Sequence, residues 1–252
     1  MDKWVCVATY NEKENIRELI EQIHAHVPDA HIVVVDDNSP DGTGKILDEL
    51  AQAQETVQPI HRSGKLGYAS AHIEAMGHAL AQGAEIIVTM DADFSHDPKY
   101  LPALLGLVQE GADLAIGSRY IAGGGTQNWP WHRKALSGMA NGLARTALGL
   151  SVHDCTGGFR AYRSGLLRRL RLDRFESEGY SFLEEILTCC QLVEAKMSET
   201  PIIFVERRAG RSKISRKVIF EAAWMLMKLA WRRRFSRKAL LGLLVPTDSS
   251  AT

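Results

Sequence analysis

Cysteine is scarce in this chain of 252 residues: Cys6, Cys155, Cys189 and Cys190 form no CxxC pair and no disulfide framework. That excludes a small zinc-stapled or disulfide-stapled scaffold and suits free thiols in a reducing compartment. An excess of either charge is missing as well, since 30 Lys and Arg face 30 Asp and Glu. No global field draws such a chain to nucleic acid, so nucleic acid is not expected as a partner, and any anionic partner must be met by local cation clusters. Met1-Asp2-Lys3 leads straight into the apolar WVCVA, without the charged, apolar and small-residue regions of a secretory leader. No apolar run is long enough to span a bilayer: residues 218–231 are interrupted by Glu221 and Lys228, and 239–245 are too few. Proline- or serine-rich linkers, internal repeats and low-complexity tracts are absent, which leaves one large domain as the expectation. A Walker A lysine motif is missing, and neither Gly157-Gly158 nor the triple Gly at 123–125 forms a G-x-G-x-x-G after a strand, which excludes a Rossmann dehydrogenase.

What is present alternates. Short apolar runs at 4–8, 31–35, 57–61, 85–90 and 113–117 are separated by segments of helical length, of which Ile16, Leu19, Ile20 and Ile23 show the 3.6-residue spacing. The runs are nearly continuous in apolar residues, as strands covered on both faces require, so the pattern predicts βαβ units and a mostly parallel sheet. Asn15 or Glu14 is placed to open the first helix, and Gly83 and Gly111 to close helices before the fourth and fifth strands. Beyond Ala122 the turn-rich GGGTQNWPW reads as a loop or lid. It is followed by a helix at about 134–149, the motif-dense DCTGGFRAYR at 154–163, a helix near 181–195, a strand at 201–205 and a helical tract at 215–235.

In a doubly wound sheet ligands bind beyond the carboxyl ends of the strands, and the chemically unusual residues fall there. TYNE follows the first strand, DDNSPDG the second and Asp91-Ala92-Asp93 the fourth. Asn38, Ser39 and Asp41 also suit plain turn and cap duty. Carboxylates held close together repel, and a divalent cation is the usual relief. Oxygen donors favour Mg²⁺ or Mn²⁺ over zinc, and such an ion binds through one or two carboxylates plus substrate phosphates. His96, beside the cap-like Asp97-Pro98, reads as structural rather than as a ligand, and Ser137 is a weaker candidate for touching a phosphate.

These residues resemble the family 2 glycosyltransferases of GT-A fold, and among them the dolichol-phosphate and polyprenol-phosphate mannose synthases. The similarity runs in order through ATYNEKENI at 8–16, VVDDNSPDGT at 34–43, KLGYASA at 65–71, MDADFSHDP at 90–98, GSRY at 117–120, TGGFRAYR at 156–163, GYSF at 179–182 and FVERRAGRSKIS at 204–215. The resemblance implies a GT-A catalytic domain over 1–214, with its nucleotide-sugar half at 1–120 and its acceptor part at 121–214, and membrane-interface helices over 215–252. It implies that Ala8, Tyr10, Glu12, Val35 and Asp37 line a guanosine pocket, and that Asp91 and Asp93 hold Mg²⁺ or Mn²⁺ against the diphosphate beside Ala92. Ser95, where other members carry Gln, is the candidate third ligand. Arg119, Arg133, Arg207 and Lys213 would gather the phosphates, with Asp93, Arg119 and Lys213 as the catalytic set. Ala8 stands where the family usually has Pro.

The implied reaction moves mannose from GDP-mannose to a polyprenyl phosphate with inversion, giving a β-linked lipid-phosphate sugar and GDP. A phosphate monoester, with its second pKa at about 6, attacks without a general base, so alignment and charge stabilisation are what the protein must supply. The expected partners are the nucleotide sugar, the lipid phosphate, a membrane surface and a membrane-anchoring protein, with the chain lying peripherally on the cytoplasmic face. The Trp- and Met-rich apolar stretch at 218–231 followed by RRRFSRK suits an interfacial helix, or one packed on the sheet. UDP-glucose or another nucleotide sugar is the alternative donor. A non-catalytic nucleotide-sugar or membrane-binding module is the alternative class, opposed by the intact Asp91, Asp93, Arg119 and Lys213.

Overall fold

The computed structural model describes residues 1–177, 179, 181–206, 224–232 and 240–245. Four βα repeats and a fifth strand open the chain: β1 (Lys3–Thr9), α1 (Ile16–His26), β2 (His31–Asp36), α2 (Thr43–Ala53), β3 (Val57–His61), α3 (Tyr68–Ala81), β4 (Ile86–Asp91), α4 (Leu101–Gln109) and β5 (Leu114–Ser118). All five expected strands form, with ends within a residue or two of the apolar runs. After β5 come β6 (Gly125–Gln127), α5 (Trp131–Leu148), β7 (Arg160–Arg163), α6 (Ser164–Leu167), α7 (Phe182–Leu192), β8 (Met197–Pro201) and β9 (Ile203–Val205). The main sheet has the order β3-β2-β1-β4-β7-β5-β8, and only β7 runs antiparallel to its neighbours β4 and β5. A second small sheet pairs β6 with β9.

Alternation along each strand divides the core between two faces. Trp4, Cys6, Val33 and Val35 join the apolar cluster on one face, while Val5, Val7, Ile32 and Val34 join the cluster with Leu19, Ile20, Ile23 and Leu47 on the other. Each such side chain, fully buried, contributes about 2 kcal/mol relative to exposure. Asn15 occupies the cap position of α1, and Gly83 and Gly111 take the left-handed backbone past α3 and α4. There Ala84 N–H reaches Ala79 O and Ala112 N–H reaches Leu107 O, both at 3.0 Å, the 6→1 closure that stops a helix.

Three expectations change. The segment 160–163 is a central strand, β7, although RAYR lacks an apolar run; its Arg160 is wholly buried and donates to Leu183 O and Cys155 O. The single strand expected at 201–205 is divided, because β8 ends at Pro201 on the main sheet and β9 begins at Ile203 on the small one. The loop after Ala122 is pinned through β6 to β9, and α5 starts at Trp131, ahead of the expected 134. The boundary at 214/215 lies outside the described residues. Downstream of it, Leu226, Leu229, Leu240 and Leu243 join the cluster that contains α7, while Trp224, Met227 and Trp231 are exposed. Among the described residues no helix is long and apolar enough to cross a membrane.

Candidate active site

Parallel pairing puts the carboxyl ends of β2, β1 and β4 in one row. Ala8 lies opposite Val35 on one side and Asp91 on the other. Beyond this row the first two strand-end turns are stitched together. Asn11 N–H donates to Ser39 Oγ, Glu12 N–H to Thr43 Oγ1 and Lys13 N–H to Asp41 Oδ2. Asp36, Ser39 and Asp41 therefore serve the turn, Asp41 also accepting from Thr43 N–H at 2.9 Å. Asn11 and Asn38 carry positive φ, a conformation Asn tolerates better than most residues. Asp37, almost buried, accepts from Arg62 Nη1 at 2.7 Å and from Gly67 N–H at 3.0 Å, which fixes it against the start of α3. The Tyr10 ring lies 4.0 Å beneath Lys65 Nζ, and Glu12 accepts from Asn15 Nδ2 at 2.8 Å. The expected nucleoside residues Ala8, Tyr10, Glu12, Val35 and Asp37 thus gather at one edge.

At the end of β4 the chain turns sharply. Asp91 is half-buried, Ala92, Asp93 and Ser95 are buried, and Phe94 adopts φ 60°. That strained step, unusual for a bulky residue, brings Ser95 N–H to Asp93 Oδ1 at 3.0 Å. Asp91 N–H donates to His96 Nδ1 at 3.0 Å, so the acceptor nitrogen of the ring is assigned by that bond. Burial holds His96 below the ordinary imidazole pKa against the pull of Asp91 and Asp93, and the ring is neutral. The Nδ1 of His96 is thus taken up by the main chain of the turn. The donors offered here are two carboxylates and a hydroxyl, all hard oxygen, which fits Mg²⁺ or Mn²⁺. Among the described residues no group of three His, Cys, Asp or Glu forms a cage, so an ion held by Asp91 and Asp93 would complete its shell from Ser95, substrate phosphate and water.

Arg119, at the exit of β5, is buried and held in a fork: Nε donates to Asp154 Oδ2 and Nη2 to Asp154 Oδ1, both at 2.8 Å. Nη2 also donates to Thr156 Oγ1 at 2.7 Å. Burial would raise the Asp154 carboxyl, but the Arg119 charge and hydrogen bonds outweigh it and hold its pKa below the ordinary value. Arg133 meets Glu206 at 2.5 Å and stacks 4.1 Å over Trp129, and Ser137 Oγ lies 2.7 Å from Tyr120 Oη. A cleft of about 340 Å³ opens among Arg119, Tyr120, Thr126, Trp129 and Lys134. Arg119 and Arg133 are thus brought to one neighbourhood, each already paired with a carboxylate. Arg207 and Lys213 lie outside the described residues. Sequence reasoning missed Arg62, Asp154, Glu206 and Lys134. Asp154 alone had a local signal, standing just ahead of TGGF.

Residues 4–171 match the family model described as Glycosyl transferase family 2. The chain is 43% identical over 234 residues to a polyprenol monophosphomannose synthase of Mycolicibacterium smegmatis, covering 92% of this chain and 88% of the relative. It is 40% identical over 238 residues to an undecaprenyl-phosphate mannosyltransferase of Micrococcus luteus, covering 94% and 98%. A dolichol-phosphate mannosyltransferase of Pyrococcus furiosus is 36% identical, covering 96% and 69%. Among solved structures, glucosyl-3-phosphoglycerate synthase from Mycobacterium tuberculosis with Mn²⁺, UDP-glucose and phosphoglyceric acid superposes with a TM-score of 0.63. At 18% identity, over 98% of this chain and 81% of that one, it shares the fold. Strand order, strand-end acids and relatives along nearly the whole length agree, and the chain belongs to glycosyl transferase family 2 as a hexosyltransferase of GT-A fold.

Proposed function

We propose that the protein transfers mannose from GDP-mannose to a polyprenyl phosphate, inverting the anomeric centre and releasing GDP, with Mg²⁺ or Mn²⁺ at Asp91 and Asp93. The observation that carries the reading is the 43% and 40% identity, over nearly the whole chain, to relatives named polyprenol monophosphomannose synthase and undecaprenyl-phosphate mannosyltransferase. The row of Ala8, Val35 and Asp91 supports it by offering adjoining places for a nucleoside and its diphosphate.

Ala8, Tyr10, Glu12, Val35 and Asp37 bind the guanosine, Asp37 pre-set by Arg62 and Gly67. Asp91, Asp93 and Ser95 would hold the ion beside Ala92, where it would supply Lewis-acid stabilisation of the departing diphosphate. Arg119 and Arg133 orient the lipid phosphate from the cleft side, with Arg207 and Lys213 completing the cation set. Arg119, locked by Asp154, presents a pre-organised guanidinium that needs little reorganisation during reaction. A phosphate oxygen forms a bond to the anomeric carbon on the face opposite the diphosphate. The old carbon–oxygen bond breaks, and its electron pair leaves with GDP. The attacking oxygen is already ionised at neutral pH, because the second pKa of such a phosphate is about 6, so no residue has to remove a proton.

The polyprenyl tail stays in a bilayer, so the protein works peripherally at the cytoplasmic face, by its C-terminal helices or with a membrane-anchoring protein. Exposed Trp224, Met227 and Trp231 support that placement. The test is incubation of purified protein, Mg²⁺ or Mn²⁺ and polyprenyl phosphate with labelled GDP-mannose, GDP-glucose, UDP-glucose or UDP-mannose. Label from GDP-mannose should pass to the organic phase as a β-linked phosphodiester; its absence there sinks the reading.

A further inference from the structure

His96 sits where two parts of the site meet. Its Nδ1 accepts the Asp91 N–H at 3.0 Å. Its ring is stacked on Phe159, with centroids 5.0 Å apart at 16°, and meets the edge of Phe204 at 5.5 Å and 78°. Phe204 belongs to β9, which pairs with β6 in the small sheet. The Phe204 ring in turn meets Trp129 at 5.4 Å and 74°, and the Arg119 guanidinium lies 5.5 Å over it. Arg133 lies 4.1 Å over Trp129. One ring therefore joins the main chain of the acidic turn to the aromatic layer that seats both arginines. Gly158 makes room for this packing, since a Cβ there would collide with the Tyr68 hydroxyl and come within 3.7 Å of His96 Cε1.

We infer that His96 is a positioning residue with two separable duties: its Nδ1 sets Asp91 for the ion, and its ring sets Phe204, and through it Arg119 and Trp129, for the acceptor. The inference rests on the reading of Asp91 and Asp93 as the diphosphate-ion pair and of the Arg119 side as the acceptor side. A ring held only for packing would lose both duties together. In this arrangement each duty is carried by a different part of the side chain, because an edge-on aromatic contact needs the ring whereas the Asp91 bond needs only an acceptor at the Nδ1 position.

Two substitutions separate them. His96→Phe keeps a ring between Phe159 and Phe204 and removes the acceptor; His96→Asn keeps an acceptor near the Nδ1 position and removes the ring. Calorimetric titration with Mn²⁺ and GDP, which needs no acceptor lipid, should show about tenfold weaker binding for His96→Phe and a change of no more than about twofold for His96→Asn. The KM for polyprenyl phosphate should move the other way, rising about fivefold for His96→Asn and staying within about twofold for His96→Phe. Unchanged Mn²⁺·GDP affinity in His96→Phe, or equal losses of both properties in both variants, overturns the inference. If His96→Phe does not fold, Phe204→Leu takes its place beside His96→Asn. Both should then raise the acceptor KM and retain Mn²⁺·GDP affinity, and loss of that affinity overturns the inference. Absence of transfer by the unsubstituted protein would refute the proposed function instead, leaving the nucleotide titration to decide the Asp91 duty by itself.

Discussion

Asp93 carries two loads, and substitutions can separate them. Its Oδ1 accepts the Ser95 N–H at 3.0 Å in a turn whose next residue, Phe94, is held at positive φ. Removing the side chain as Ala forfeits that hydrogen bond, worth about 1 kcal/mol, together with the ion ligand. Asp93→Asn keeps an acceptor for the turn and loses the charge. The transfer rate of Asp93→Asn should fall at least about a hundredfold, while its urea-unfolding free energy stays within about 0.5 kcal/mol of the parent. A fully active Asp93→Asn enzyme would refute the metal assignment. The acids Glu12, Asp37, Asp91 and Asp93 are legible in sequence because each follows an apolar strand within a residue or three, a local signal. The long-range ion pairs around the site are not. Arg62 reaches Asp37 across 25 positions, Arg119 reaches Asp154 across 35 and Arg133 reaches Glu206 across 73. Such pairings are set by tertiary packing, and no spacing rule announces them.

At the scale of elements, the four βα repeats and β5 could be read because their strands are apolar on both faces. The strand β7 could not, since a buried Arg160 looks polar until its carbonyl partners at Leu183 and Cys155 are seen. The neighbouring α7 is buried along nearly its whole length, including Glu184, whose Oε2 has no hydrogen-bond partner among the described residues. Burial lifts the Glu184 pKa to about 7, with the Arg160 charge opposing. The folded state therefore keeps its proton in a range where the unfolded chain, with an ordinary pKa of about 4.3, has released it. Stability is fully present below the unfolded value, falls as pH rises from there to about 7, and levels off above. Glu184→Gln should match the parent near pH 4 and exceed it at pH 8 by up to about 3 kcal/mol, read from urea unfolding at both pH values. Parallel pH profiles for the two proteins would show that Glu184 ionises freely in the fold.

For the molecule as a whole, balanced charge means that no long-range field brings it to an anionic surface, and contact must come from local features. The helix at residues 224–232 faces two ways: Leu226 and Leu229 pack into the core, Lys228 and Arg232 pair with Glu176, and Trp224, Met227 and Trp231 stay in solvent. The helix is therefore packed on one face, and its exposed Trp224, Met227 and Trp231 are the residues that an interfacial role would use. Ending the chain after Arg216 would remove core leucines along with the exposed tryptophans, so it confounds stability with docking. Substituting Trp224→Gln together with Trp231→Gln leaves the core intact. Sedimentation with anionic liposomes should weaken about tenfold in that double variant, and unchanged sedimentation would remove this helix as the docking element.

The chain leaves the main sheet at Ser118, at the end of β5, and returns at Arg160 on the adjacent antiparallel β7. Exit and return are therefore close together at one rim, with Gly117 N–H bonded to Phe159 O at 2.9 Å, and the residues between form a single excursion from that rim. An excursion of another length fits between these anchors only if Gly158 and Phe159 stay with the sheet, because Thr89 Oγ1 donates to Gly158 O at 2.8 Å and Phe159 stacks on His96. Under the proposed function, swapping residues 119–157 between homologues should change the acceptor and leave the donor unchanged, provided Asp154 travels with Arg119.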